Sequence, residues 1–331
     1  MRAMVLEHPG PAEQAPLQLR ELPDPTPAPG EVLLRVLACG VCRTDLHTVE
    51  GEIPLPAPAL IPGHQIVGQV LAVGPGVESD LVGKTVGVGW MGSTCGRCSF
   101  CTSGRENLCL EAQFTGLSRP GGYAQLMTAD AAFVYPLPAG LAPEEAAPLL
   151  CAGIIGYRAL RLAGALAPVR VGFFGFGASA HVAIQVARHA GAQVYVFTRA
   201  PQHQEHARAL GAVWVGNPHQ DPGVPLEAAV IFSPAGEHVP LALARLAPGG
   251  TVACAGITMS NIPSLPYELL YRERKLCSVA NATREDARQL LDLAAKIPIS
   301  TTVKTLPLEQ ANEALVRVKH SRVQGALVLL P

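Results

Sequence analysis

The sequence predicts an α/β protein of two units, one β-rich and closed on itself in the manner of a barrel, the other built on a doubly wound parallel sheet. Three observations predict it. The first 140 or so residues are short apolar runs punctuated by Gly and Pro, which reads as many short strands joined by tight turns. Residues 170–197 read strand, glycine-rich turn, helix, strand, a single βαβ unit. At 331 residues the chain exceeds the size at which one core keeps growing.

Composition narrows the function classes. Hydrophobic residues make up 49% and charged residues 15%, which is a buried, globular balance and not a disordered one. A net charge of −1 leaves no electrostatic footprint for nucleic acid or an anionic membrane. No apolar run is long enough to predict a membrane span, and Glu7 interrupts the opening stretch where a signal peptide needs apolar length. Nine cysteines, an odd count, fit reduced thiols and metal ligands better than a disulfide framework, so a cytoplasmic setting is expected.

In chain order, the apolar run 32–37 reads as a strand that Gly40 breaks, and a helix is expected from Thr44. The stretch Cys39-Gly-Val-Cys-Arg-Thr-Asp-Leu-His47 concentrates a thiol, a cation, a hydroxyl, a carboxylate and an imidazole. Cys42 is the candidate holder of a catalytic zinc there, with Thr44 and His47 as proton carriers. A proline-rich loop over 53–62 delivers Gly63-His64-Gln65, and strands are expected over 66–73 and 85–88. Cys95, Cys98, Cys101 and Cys109 fall within one short loop, the pattern of a closed tetrahedral thiolate zinc site. With all four positions filled by protein, such a site is structural. Arg97, Arg105 and nearby backbone amides are the expected counterweights to its negative charge.

The pattern changes near residue 142. A helix is expected from Pro143 and again over 153–163. Then Gly175-Phe-Gly177-Ala-Ser-Ala180 stands between a strand over 170–174 and a helix to about 190. Gly175 permits the tight turn, Gly177 lets a pyrophosphate approach the backbone, and Ala180 packs helix on sheet. Ala178 and Ser179 open the helix. Further strands are expected over 193–197, 229–232 and 251–255, with helices over 204–210, 239–246, 284–296 and 308–319 and a last apolar segment over 325–330.

Taken as an ordered set, Cys42-Arg-Thr-Asp-Leu-His47, Gly63-His64, the four-cysteine loop, Leu150-Cys151-Ala-Gly and the dinucleotide turn resemble the zinc-dependent medium-chain alcohol dehydrogenases over nearly the whole chain. The resemblance implies a GroES-like catalytic unit, residues 1–152 and 281–331, into which a Rossmann unit, residues 153–280, is inserted. It implies a catalytic zinc on Cys42, His64 and Cys151 and a structural zinc on Cys95, Cys98, Cys101 and Cys109. Thr44 would touch the substrate oxygen, His47 would end a proton relay that passes the nicotinamide ribose, and Asp45 would support the zinc histidine. Arg43 would face the cofactor pyrophosphate and Trp90 would line the substrate pocket. A homo-oligomer, dimer or tetramer, formed through the nucleotide unit is implied as well. Two thiolates and a neutral imidazole balance the charge of Zn²⁺ and leave one position open, as a catalytic zinc needs.

Four positions depart from the family pattern. Gln65 replaces a glutamate, Ile155 a threonine near the nicotinamide, and Ala326 an arginine of the tail. Thr198-Arg199 replaces the acid that pairs with the adenosine ribose at the end of the second strand. A neutral Thr198 beside the planar fork of Arg199 predicts NADP(H) over NAD(H). The expected reaction is hydride transfer between an alcohol and an aldehyde or ketone, with Trp90 favouring simple primary or aromatic alcohols. The rival within the enzyme class is a polyol or sugar dehydrogenase. The rival outside it, a non-enzymatic nucleotide-binding zinc protein, has no use for an open zinc beside a proton relay.

Overall fold

The structure is a computed structural model that describes residues 1–56, 59–320, 322–323 and 325–331; positions 57 and 58 of the proline-rich loop lie outside the described residues. Two compact units emerge. The first takes Met1–Cys151, Thr283–Lys296 and Ser300–Pro331, and the second takes Ala152–Ala282 with Ile297–Ile299.

The first unit opens with an antiparallel pair, β1 (Arg2–Leu6) and β2 (Leu17–Glu21). The long strand β3 (Glu31–Val41) leads directly into helix α1 (Arg43–Val49). Strands β4 (Gln65–Val73), β5 (Thr85–Val88) and β6 (Met91–Ser93) follow, then α2 (Ser99–Thr102) in the cysteine loop. Next come β7 (Gln113–Phe114), β8 (Leu126–Asp130), β9 (Val134–Pro136) and α3 (Pro143–Ala146).

The second unit begins with α4 (Ala152–Ala163) and β10 (Arg170–Phe174). It continues through α5 (Ala178–His189), β11 (Gln193–Phe197), α6 (Pro201–Ala209) and β12 (Trp214–Gly216). Strand β13 (Leu226–Ile231), α7 (His238–Arg245), β14 (Leu246–Cys254) and β15 (Lys275–Ser278) complete it. The chain then returns to the first unit with α8 (Arg284–Ala294), β16 (Val303–Pro307), α9 (Ala311–Lys319) and β17 (Ala326–Leu330).

In the first unit the main sheet runs β16-β17-β3-β4-β5-β9, with β8 also on β3. The two ends of β3 do different work. Residues 31–35 pair with β8, while Cys39, Gly40 and Val41 pair with β17. The strand therefore runs through Gly40, which the local pattern marked as a break. Gly40 faces Gln65 across the β3–β4 pair, and a Cβ there would stand 3.0 Å from the Gln65 side chain. The glycine makes room for a neighbour; it does not end the strand. Ala326, at the start of β17, is buried opposite Val303.

In the second unit six strands lie in the order β12-β11-β10-β13-β14-β15, all parallel. Phe173, Phe174, Val194, Val196, Val230 and Ile231 are fully buried, as expected of strands covered on both faces. The short strands β12 and β15 were not legible in the pattern. Helix α4 packs on α5, and Gly156 permits it: a Cβ there would lie 3.0 Å from the Ser179 carbonyl. Among the described residues no single helix is long and apolar enough to cross a membrane.

Candidate active site

Cys42 ends β3 and caps α1. Its sulfur accepts from the Thr44 amide at 3.4 Å, while its own amide donates to Asp45 Oδ2 at 2.9 Å. This reciprocal cap fixes the thiol and the carboxylate on the first turn. The helix thus starts at Arg43, one residue before the expected position.

His64 is delivered by Gly63, whose φ of +97° suits only glycine, and is 1% exposed. Its Nδ1 donates to Asp45 Oδ1 at 2.9 Å, so Nε2 points the other way. Nε2 lies 3.4 Å from Cys42 Sγ and 3.3 Å from Cys151 Sγ. Cys151 follows a 3₁₀ turn over Ala147–Leu150, which seats on the sheet where Gly87 of β5 leaves space for Leu150. The donor atoms of Cys42, His64 and Cys151 all lie within 4.8 Å of one another. Two soft thiols and an oriented imidazole fit a zinc ion.

The electrostatics match. Of the two thiols Cys42 is the one held well below its ordinary range, chiefly by the hydrogen bond from Cys151 and then by His64. Burial pushes the Asp45 carboxyl up, and the facing His64 charge works against that rise. Trp90 meets the His64 ring edge-on at 5.1 Å and stacks on Phe114 at 5.0 Å.

Thr44 and His47 are buried on successive turns of α1. His47 donates from Nδ1 to Glu52 Oε2 at 2.6 Å, and its Nε2 is buried without a hydrogen-bond partner among the described residues. Glu52 is half exposed and connects the imidazole to solvent. Nothing in the spacing of the sequence singled out Glu52. Arg43 is exposed at the first position of α1.

The sulfurs of Cys95, Cys98, Cys101 and Cys109 form a second set within 4.8 Å of one another. The Cys98 amide donates to Cys95 Sγ at 3.4 Å, and the Cys101 amide leads in drawing Cys98 down to about 7. The two arginines are engaged elsewhere. Arg97 pairs with Glu111 at 3.4 Å, and Arg105 sits over the Phe100 ring at 5.3 Å. The Cys98 amide on Cys95 is a backbone counterweight of the expected kind. Glu106, buried just after Arg105, accepts the Arg284 amide at 3.0 Å and so ties the loop to the first turn of α8.

In the second unit, Gly175 has φ +94°, and a Cβ on it would lie 3.0 Å from the Ser233 amide nitrogen. Gly177 caps α5 with nothing within 4 Å of where its Cβ would be. Ala178 and Ser179 are partly exposed and Ala180 is fully buried under the helix. An open turn at a helix N-terminus fits a pyrophosphate. Thr198, at the end of β11, is buried, its amide bonded to the Gly216 carbonyl at 2.9 Å; Arg199 beside it is exposed. Ile155 is half-buried on α4.

A GroES-like unit with a three-donor metal set, joined in one chain to a Rossmann unit with an open glycine turn, defines a zinc-dependent nicotinamide oxidoreductase. Comparison with known proteins agrees. Residues 28–139 match the alcohol dehydrogenase GroES-like domain and residues 180–296 the zinc-binding dehydrogenase domain. A probable alcohol dehydrogenase AdhA of Mycobacterium tuberculosis (strain CDC 1551 / Oshkosh) is 44% identical over 100% of this chain and 97% of its own. The cobalt- and zinc-bound thermostable alcohol dehydrogenase of Pyrobaculum aerophilum superposes with TM-score 0.90 at 26% identity, covering 100% of this chain and 99% of that one. Acetophenone reductase of Geotrichum candidum in complex with NAD gives TM-score 0.88 at 27% identity over 100% and 97%. The chain belongs to the zinc-dependent medium-chain dehydrogenase/reductase family. It is an enzyme, a zinc-dependent NAD(P)-linked alcohol oxidoreductase acting on a small molecule.

Proposed function

We propose that Cys42, His64 and Cys151 hold the catalytic zinc and that Cys95, Cys98, Cys101 and Cys109 hold a structural zinc, two ions per chain. The observation that carries the reading is the position of His64 Nε2, 3.4 and 3.3 Å from two thiols whose residues are far apart in sequence. Zinc in the first set supplies Lewis acidity toward the oxygen of an alcohol or carbonyl substrate, and the nicotinamide supplies or takes the hydride. The residues of the chain orient these partners and move the proton. Asp45 holds the His64 tautomer. Thr44, beside Cys42, exchanges the proton of the substrate oxygen. His47 passes that proton along its bond to Glu52, whose half-exposed carboxylate returns it to water.

On the second unit, Gly175, Gly177, Ala178, Ser179 and Ala180 take the pyrophosphate, with Arg43 as a further cofactor contact. Exposed Arg199 beside Thr198 favours the 2′-phosphate of NADP(H). The aromatic wall of Trp90 and Phe114 at His64 supports primary or aromatic alcohols over polyols. Strand β15 is an open edge of the parallel sheet, with Tyr267 and Tyr271 exposed just before it, which supports a homo-oligomer of two or four copies joined there. All nine cysteines are free of disulfides, in keeping with a cytoplasmic setting.

Metal analysis tests the core of this reading. Wild-type protein is expected to hold two zinc ions per chain. Cys42→Ser is expected to keep its fold, lose one zinc and lose turnover, whereas Cys98→Ser is expected to lose solubility or melt early. Full turnover by zinc-free protein would overturn the mechanism. A panel of aliphatic, aromatic and polyol alcohols, run with both nicotinamides, tests the substrate class.

A further inference from the structure

We propose that the hollow bordered by Lys304, Arg317, Arg322, Val323 and Leu327 is a binding site for a small organic phosphate monoester. It uses no residue of the metal or nucleotide sites and stands independently of their assignments.

The hollow lies in the returning tail of the first unit and has a volume of about 400 Å³. Sites for small organic molecules run from about 300 to 1,000 Å³. Lys304 of β16 stands opposite Leu327 of β17 in the parallel pair, so both side chains leave the sheet on one face. Arg317 comes from the last turn of α9. The Arg322 amide donates to the Arg317 carbonyl at 2.9 Å, and this bond turns the chain back so that both guanidiniums border the hollow. Leu327, 1% exposed, belongs to the hydrophobic core of the unit, and Val323 packs against that core. The lining is therefore apolar on one part and cationic on the rest.

The charge is one-sided. Lys319, on the same helix as Arg317, is neutralised by Glu13 and Glu50 at 2.8 and 2.7 Å. Arg317 pairs with Glu313 one turn before it. Lys304 and Arg322 meet no carboxylate within ion-pair distance among the described residues. Their two positive charges stay uncompensated in a chain whose net charge is −1. A hollow lined by one sign of charge concentrates ions of the other.

The donors select the ligand. Two planar forks and one ammonium approach from three segments, more donors than one carboxylate accepts and well suited to the terminal oxygens of a phosphate. A phosphate monoester is close to a dianion at neutral pH, which matches the two uncompensated charges. Val323, Leu327 and the remaining volume accommodate the organic group of the ester, which inorganic phosphate lacks.

The test uses full-length, zinc-loaded protein saturated with NADP⁺, so that phosphate subsites of the nucleotide unit are already filled. Phenyl phosphate, titrated by phosphorus NMR, is expected to bind one per chain with Kd on the order of 1 mM, and more weakly as salt is raised. Lys304→Ala and Arg322→Ala are each expected to weaken it about tenfold to a hundredfold. Both side chains are exposed, so the melts are expected to match wild type. Arg288→Ala removes an exposed cation of α8 outside the hollow and is expected to leave binding unchanged. Absence of saturable binding overturns the proposal, as does wild-type affinity in either hollow variant. An equal loss in all three variants also overturns it, since general charge attraction then explains the binding. Inorganic phosphate or benzoate binding as tightly as phenyl phosphate overturns the ligand class.

Discussion

Asp45 and His64 are bonded at 2.9 Å, both almost fully buried, and that contact decides which imidazole nitrogen faces the two thiols. Asp45 also receives the Cys42 amide, so one carboxylate sets the histidine and caps the helix that carries the cysteine.

Asp45→Ala is therefore expected to act twice. Catalytic zinc affinity should fall about 10–100-fold, and loss of the cap should cost about 1 kcal/mol of stability. Zinc retention after dialysis and a thermal melt read the two effects separately. Retention of both ions at wild-type affinity would count against the role given to Asp45.

The two glycines of the dinucleotide turn should respond differently to one added methyl. Gly175→Ala puts a Cβ on a residue with φ +94° and 3.0 Å from Ser233, and should cost about 1–3 kcal/mol of stability. Gly177→Ala meets open space at an ordinary φ of −111°, so the melt should barely move. Its methyl would instead occupy the approach of the pyrophosphate, raising the KM for the nucleotide. Unchanged nucleotide affinity in Gly177→Ala would argue against binding at this turn.

Arg199→Ala is expected to weaken NADPH binding about tenfold to a hundredfold, the worth of one charge-assisted hydrogen bond, and to leave NADH nearly untouched. Thr198→Asp should shift the preference toward NADH by repelling the 2′-phosphate. Equal or better kcat/KM with NADH in the unmodified enzyme would refute NADP(H) preference.

His181 on α5 predicts acid sensitivity of the nucleotide unit. Burial first, and the neighbouring His206 second, push it down to about 4 from an ordinary 6.5. The rings of His181 and His206 stack at 5.8 Å, and neither nitrogen of His181 has a hydrogen-bond partner among the described residues. Because the folded state holds the imidazole neutral, this stability is fully present above 6.5 and is lost as pH falls toward 4. The loss should be on the order of 2–3 kcal/mol. His203, His206 and His238 are lowered by burial in the same direction. Melts between pH 7 and pH 4 should show the decline, and His181→Phe should flatten it. An equally steep decline in the variant would assign the effect to other groups.

The sequence by itself determined the parts whose partners are close along the chain. The four-cysteine loop needs only its own backbone to gather its sulfurs, and the turn from Gly175 to Ala180 needs only the strand before it and the helix after it. The start of α1 was legible to within one residue for the same reason. The fold class followed from the change of rhythm near residue 142, where short strands give way to alternating helices and strands. The catalytic set was legible as residue types through resemblance; its assembly was not, since Cys42, His64 and Cys151 are separated by 22 and 87 residues.

Tertiary structure alone decided that Gly40 continues its strand, because the reason lies in Gln65 on the neighbouring strand. It alone added β12 and β15, runs of three and four residues whose pattern is too short to stand out until a sheet edge receives them. The pairing of Glu106 with the amide of Arg284, 178 residues further on, is likewise a product of packing. A loop residue carries no periodic signal that tells which distant amide it will meet. Such pairings are a non-local outcome of tertiary packing that no local stretch of residues encodes.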